Sequence, residues 1–176
     1  MSESETLFKG RFLELRRDRH WEYAVRVNAR GAAMVLALTP AREMVLVEQY
    51  RVPLHARCIE LPAGLIGDVA GLDEAADATA LRELEEETGY IGARAEPLTA
   101  GPISPGMSSE LIELFLVRDA RRVSVGGGAA HEGEDIAVHV VPLERVHDFL
   151  QAQAAAGKLI EPRIYAGLWF AERTVG

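Results

Sequence analysis

The sequence predicts an α/β (α+β) sandwich, a mixed β-sheet packed between helices. Three observations carry that prediction. The first third alternates short apolar runs with turn residues, which is the pattern of strands. One segment in the middle, residues 74–88, is built from Ala, Leu, Glu and Arg and is bounded by capping residues, which is the pattern of a helix. Beyond it two further apolar runs precede two more helical segments. With 176 residues and 48% hydrophobic side chains, the chain is long enough for one real core.

In chain order, residues 11–16 and 22–27 alternate partly and read as strands. Residues 33–38 and 44–49 are apolar strands separated by a turn at Thr39, Pro40, Ala41 and Arg42. Residues 54–65 contain a Pro and a Gly and read as strand plus loop, followed by a loop rich in Gly and Asp over 67–73. The helix at 74–88 has Asp73 as candidate N-cap and Gly89 just past its end. Residues 111–117 and 135–141 read as strands, and 143–156 and 163–173 as helices. Gly126, Gly127 and Gly128 begin a low-complexity patch that reads as a flexible loop.

Composition narrows the function. The net charge is −8, which disfavours binding to a nucleic-acid backbone. No apolar run reaches the length of a membrane span. The N-terminus lacks a basic start and an apolar stretch, so no signal peptide is expected and a cytoplasmic location is. A single cysteine, Cys58, excludes an internal disulfide and a Cys-rich zinc site and reads as buried filler. The five histidines, His20, His55, His131, His139 and His147, show no ligand spacing. A calcium-binding loop is excluded by the absence of an Asp-x-Asp-x-Asp-Gly order. Of 19 basic residues, only Lys9 and Lys158 are lysine, a bias best explained by coding composition.

The charge is concentrated. Residues 68–87 hold eight acids and one base, Arg82. On a helix, setting Glu83 at zero places Glu87 at about +40° and Glu86 at about −60°. The three carboxylates therefore share a face, with Ala76 and Ala80 on the same side leaving room above them. Leu81 and Leu84 face the core, and Glu85 points away. Arg82 stands four residues before Glu86 and is placed to pair with it. Like charges at i,i+4 cost an isolated helix roughly 0.2–0.5 kcal/mol, and acid near the C-terminus opposes the macrodipole. A divalent cation would reverse the sign. Clustered carboxylates suit Mg²⁺ or Mn²⁺, which in turn suit phosphate substrates. A solvated acidic face is the competing explanation of the composition alone.

The spacing of these residues is more specific than the composition. Glu74-x7-Arg82-Glu83-Leu84-x-Glu86-Glu87-x-Gly89-Tyr90 resembles the Nudix box, whose pattern is Gly-x5-Glu-x7-Arg-Glu-aliphatic-x-Glu-Glu-x-Gly-aliphatic. The departure is the first glycine, whose position holds Asp68. Gly64 lies four residues earlier, as though the loop carried an insertion. Val47-Glu48-Gln49-Tyr50-Arg51 and Glu60-Leu61-Pro62-Ala63-Gly64 resemble the stretch before the box in ADP-ribose and nucleoside-diphosphate-sugar pyrophosphatases. Pro105, sixteen residues after Gly89, has the spacing of the ADP-ribose pyrophosphatase branch. The glycine run 126–128 with the acids after it is similar to GDP-mannose pyrophosphatase relatives. The likeness spans roughly residues 10–150.

The resemblance implies a Nudix fold with an N-terminal antiparallel strand extension. It divides the chain into residues 1–32, a strand region for dimerisation, and 33–176, the Nudix domain. It also implies a set of roles. Ala63 (through its carbonyl), Glu83, Glu86, Glu87 and Glu134 match metal ligands, with Arg82 orienting Glu86. Glu134 matches a loop glutamate that ligates metal or acts as base for the attacking water, with Glu132 as the alternative. Arg51 matches a phosphate-contacting arginine, or is a surface strand charge. Glu110 matches a substrate-contacting acid, or is a solvated strand-end residue. Arg26 matches a residue that reaches substrate across a dimer interface. Trp21 stacks on a base or packs in that interface, and packing is favoured.

The implied reaction is Mg²⁺-dependent hydrolysis, with Mn²⁺ as the substitute, of the pyrophosphate of a nucleoside diphosphate sugar to a nucleoside monophosphate and a sugar phosphate. The expected partners are a small nucleotide substrate and a second copy of the chain, with no nucleic acid and no membrane. ADP-ribose, GDP-mannose and UDP-glucose all remain open as substrates. The alternatives are a dinucleoside-polyphosphate or nucleoside-triphosphate hydrolase of the same family, and a non-catalytic module that senses a nucleotide sugar.

Overall fold

The computed structural model describes residues 4–67, 74–128 and 135–174. Two sheets organise them. Strands β1 (Glu5–Lys9), β2 (Leu13–Asp18) and β3 (Trp21–Arg26) form an antiparallel three-stranded sheet in the order β1-β2-β3. The β2–β3 turn passes through Arg19 at φ +56°. The central sheet has the backbone order β13-β6-β5-β4-β10-β9. Its members are β4 (Gly31–Leu38), β5 (Glu43–Arg51), β6 (Ala56–Glu60), β9 (Glu96–Pro102), β10 (Leu111–Val117) and β13 (Leu159–Ile160). In addition, β7 (Ala63–Ile66) pairs with β4, and β12 (Ala137–Pro142) pairs with β5. Short β8 (Tyr90–Ile91) and β11 (Arg121–Arg122) pair separately. The β10–β4 and β13–β6 pairs are parallel and the others antiparallel, so the sheet is mixed, as expected.

Strand periodicity decides which layer each residue joins. All of β4 is buried. Ala33, Val35 and Ala37 face α1 (Ala76–Thr88) and meet its Ala80 and Leu84. Met34, Leu36 and Leu38 face the other way, toward α2 (Val146–Ala155) and α3 (Arg163–Thr174), and pack with Val146, Leu150, Ile164 and Ala171. The sheet therefore lies between α1 and the α2/α3 pair. Each fully buried Leu or Ile, such as Leu36, Leu46, Ile59 or Leu116, contributes roughly 1.5–3 kcal/mol.

Four expectations need correction. Helix α1 starts at Ala76, not Glu74. Ala75 is its N-cap at ψ 153° without a side-chain cap, because the Glu74 carboxylate is occupied by Thr79 and Arg82. Asp73, the expected cap, lies outside the described residues. The helix expected over 143–156 is a 3₁₀ turn, Leu143–Arg145, followed by α2. Ala80 leaves no room above the acidic face, since it is fully buried in the core and Ala76 packs against that core. Strands β1 and β9 were not anticipated, for both are largely exposed and lack an apolar run. Among the described residues no helix is long and apolar enough to cross a membrane.

Candidate active site

The site is built where α1 crosses β7. Leu84 and Ala80 seat the helix on the sheet, and that seating turns Glu87 inward. Glu87 is only 5% exposed, and the Ala63 N–H donates to its Oε2 at 3.1 Å. One turn earlier, Glu83 lies over Gly64. A Cβ on Gly64 would overlap the Glu83 carboxylate, so glycine at this position is what admits Glu83 to the strand. The preceding residue serves the sheet, since the Pro62 carbonyl accepts from the Val35 N–H at 2.8 Å. Pro62, Ala63 and Gly64 thus form a floor whose backbone is touched by two carboxylates.

Arg82 organises the rest. Its Nη1 donates to Glu83 Oε1 at 2.8 Å and to Glu86 Oε2 at 2.9 Å, and its Nε donates to Glu74 Oε2 at 3.2 Å. The Thr79 hydroxyl donates to the same Glu74 oxygen at 2.9 Å. Burial works against the charge on Arg82, but Glu83 and Glu74 outweigh it and hold the guanidinium above its ordinary range. Its Nη2 is buried and finds no hydrogen-bond partner among the described residues. Glu86 is 55% exposed and Glu83 14% exposed. The expected Arg82–Glu86 pair is present. Glu85 is exposed, on the far side from Glu87.

On the same face of the sheet, Arg51 donates from Nε and Nη2 to the two oxygens of Glu60 at 2.7 and 2.5 Å. Glu60, with Glu87 adding to it, raises the Arg51 guanidinium against its burial. Arg51 is therefore a fixed part of this cluster, not a loose surface charge. Sequence reasoning missed Glu60 as its partner. The signal was available, because a β5–β6 hairpin sets Arg51 and Glu60 on one face. Arg26 and Glu110 form an ion pair with each other, and the Glu110 N–H donates to Ser108 Oγ at 3.0 Å. They sit further along the sheet. Leu111 lies beside Gly31 of β4, whereas Ala63 pairs with Met34, about 10 Å away at strand rise.

Donor chemistry tests whether a metal fits. Glu83, Glu86, Glu87 and the Ala63 backbone supply hard oxygen atoms with no imidazole or thiolate among them, which matches Mg²⁺ or Mn²⁺. Cys58 is buried and its thiol is pushed up by burial, in keeping with filler. Among the described residues no three His, Cys, Asp or Glu side chains are already gathered as a metal cage; Glu83 and Glu86 converge on Arg82. Ala63 reaches the site through its N–H.

The glycine run is not a loose tether over its described part. Gly127 and Gly128 donate to the carbonyls of Glu87 and Glu86. Glu134, Glu132 and His131, like Asp68, lie outside the described residues. Trp21 is 54% exposed and lies over Gly106 at the edge of a cleft of about 360 Å³ that His20, Tyr23 and Pro105 also line. Within one chain its ring is not packed away.

A second charged cluster, unanticipated, occupies the opposite face of the sheet. Buried Glu48 accepts from Arg57 Nε at 2.6 Å and Lys158 Nζ at 2.7 Å, and His139 Nε2 lies 2.9 Å away. Burial would raise its carboxyl, but Lys158, His139 and Arg57 hold it at about 2. Arg57 also reaches Asp135 at 3.0 Å.

Comparison with known proteins agrees with this geometry. A family model described as the NUDIX domain matches residues 28–161. The chain is 37% identical over 146 residues to a protein named methanol dehydrogenase activator from Bacillus methanolicus, covering 80% of this chain and 75% of that one. It is 35% identical over 164 residues to an ADP-ribose pyrophosphatase of Escherichia coli strain K12, covering 84% and 77%. Among solved structures, one described as an ADP compounds hydrolase superposes with a TM-score of 0.71 over 98% of this chain and 90% of that chain. At 21% identity, that likeness concerns the fold.

Proposed function

The chain belongs to the Nudix family, and on that premise we propose that it is a pyrophosphohydrolase acting on ADP-ribose or a closely related nucleoside diphosphate sugar, releasing a nucleoside monophosphate and a sugar phosphate. The observation that carries the reading is the placement of Glu83 and Glu87 against the Pro62-Ala63-Gly64 floor. Relatives named ADP-ribose pyrophosphatase and, in Mus musculus, ADP-sugar pyrophosphatase support the substrate class.

In this reading Glu83, Glu86 and Glu87 hold Mg²⁺, with Mn²⁺ as substitute, and the Ala63 carbonyl completes the set. When bound, the metal neutralises the diphosphate and lowers the cost of generating hydroxide. The protein's own groups do the positioning. Arg82 keeps Glu83 and Glu86 in one rotameric arrangement. Arg51, stiffened by Glu60, presents a guanidinium to phosphate. Glu134, or Glu132, is assigned to orient or deprotonate the attacking water. Arg26 and Glu110 are assigned to the substrate, each fixing the other's orientation.

The N-terminal sheet supports a homodimer. Phe8, Phe12, Leu13 and Trp21 are all exposed on it, and a second copy of the chain would cover them. This reading makes residues 1–32 the dimerisation region and 33–176 the catalytic domain.

The test is a panel of ADP-ribose, GDP-mannose, UDP-glucose, diadenosine polyphosphates and nucleoside triphosphates, each with and without Mg²⁺. Metal-dependent release of AMP and ribose 5-phosphate from ADP-ribose is the expected result. Turnover confined to triphosphates or dinucleoside polyphosphates would overturn the substrate class. Binding without turnover would overturn the enzyme.

A further inference from the structure

The last turn of α1 carries Glu86 and Glu87, and a helix C-terminus concentrates partial negative charge on its unsatisfied carbonyls. No basic side chain lies in that turn. Backbone N–H groups meet the carbonyls instead. Gly89 donates to Glu85 O at 2.8 Å, Gly127 to Glu87 O at 2.8 Å, and Gly128 to Glu86 O at 3.0 Å. Val123 and Ser124 donate to Gly89 O at 2.8 and 3.2 Å. The carbonyls of both acidic residues are thus engaged by one segment about forty positions further along the chain, Gly127 meeting Glu87 and Gly128 meeting Glu86.

Glycine is needed on both sides of this contact. Gly89 has φ +72° and Gly126 has φ +71°, where other residues are strained. A Cβ on Gly89 would sit 2.8 Å from the Gly126 nitrogen. One on Gly126 would sit 2.6 Å from the Gly89 nitrogen and 2.7 Å from the Thr88 Cα. Two backbones touch with no side chain between them. Gly127, at φ +113°, has open space around its missing Cβ among the described residues, so there the backbone conformation is what calls for glycine.

We propose that residues 123–128 are a backbone clamp on the metal-binding turn of α1, with Gly126 as a positioning residue that sets the affinity for the divalent cation. The inference rests on the reading that Glu86 and Glu87 hold that cation. The clamp fixes where the turn ends and with it the directions of the two carboxylates, so it acts on the metal through Glu86 and Glu87 and touches no reacting atom. Coupling between two such sites is reciprocal. Metal on the carboxylates must therefore tighten the clamp.

The test uses the full chain and Mg²⁺ alone. Hydrogen exchange is followed at residues 123–128 with and without Mg²⁺, and the Mg²⁺ concentration that gives half the thermal upshift is measured for wild type, Gly126→Ala and Gly127→Ala. The expected results are at least tenfold slower exchange of the Gly127 and Gly128 amides with Mg²⁺. The Mg²⁺ midpoint should rise at least fivefold in Gly126→Ala and by a smaller factor in Gly127→Ala. If Gly126→Ala does not fold, the wild-type exchange and the milder Gly127→Ala decide. A wild type that responds to Mg²⁺ while exchange at 123–128 and the variants' midpoints stay unchanged overturns the clamp and spares the metal reading. A wild type that ignores Mg²⁺ overturns both.

Discussion

Replacing Gly64 with alanine separates the cost of folding from the cost of function. The Cβ would overlap Cδ and Oε1 of Glu83, so the carboxylate must withdraw by about 1 Å or more to restore ordinary contact. Gly64 is not among the glycines with positive φ, so alanine adopts its backbone without strain. The group that yields is the far end of a flexible side chain, which moves cheaply. Stability should therefore change by less than about 1 kcal/mol, a Tm shift within about 4 °C. Function should not escape so lightly, because a displacement of about 1 Å at a catalytic group costs on the order of 100-fold, or about 2.7 kcal/mol on the barrier. The assay is metal-dependent hydrolysis of ADP-ribose beside a thermal melt. In a Glu83→Ala background the same substitution should add almost nothing, since the group it displaces is gone. Gly64→Ala with activity within threefold of wild type, or with its activity loss explained by a collapsed Tm, would show that Gly64 does not serve to seat the Glu83 carboxylate.

Four other outcomes follow from the geometry. Glu85→Gln should leave kcat within about twofold, whereas Glu87→Gln should lower it by about 100-fold or more; equal effects would contradict the helix-face assignment. The Glu48 carboxyl is held at about 2 from an ordinary 4.5, so its stabilisation is complete above pH 4.5 and is lost as pH falls toward 2. Glu48→Gln should lower Tm by about 5–10 °C at pH 6–7, and a pH series of melts should show that gap closing in acid. Arg26→Ala should raise KM for the nucleotide by about tenfold with little change in Tm, read by steady-state kinetics. Replacing Phe8 and Phe12 with serine should convert a dimer to a monomer in gel filtration.

The fold was legible where a pattern had one physical cause. The four-residue spacing from Glu83 to Glu87 placed both carboxylates on the same side of α1, and Gly89 marked the helix end at φ +72°. The buried strands β4, β5 and β10 announced themselves as apolar runs. Exposed β1 and β9 did not, because their stability comes from pairing with β2 and β10 rather than from a buried face of their own. The start of α1 is not legible locally, because the Glu74 carboxylate is engaged by Arg82 and Thr79, a tertiary arrangement with no local signature. The same holds for Glu48, whose partners Arg57, His139 and Lys158 come from two separate strands and the turn before β13. The glycine run looks slack in the sequence because composition reports conformational freedom and is silent about a backbone neighbour at contact distance.

Everything in the proposed activity depends on the α1 carboxylates supporting hydrolysis of a nucleotide-sugar pyrophosphate. Phosphorus NMR of ADP-ribose incubated with wild type and Glu87→Gln, with and without Mg²⁺, tests it most directly. The two diphosphate resonances should give way to two phosphomonoester resonances only for wild type with Mg²⁺. Unchanged diphosphate in every tube, or equal conversion by Glu87→Gln, would contradict it.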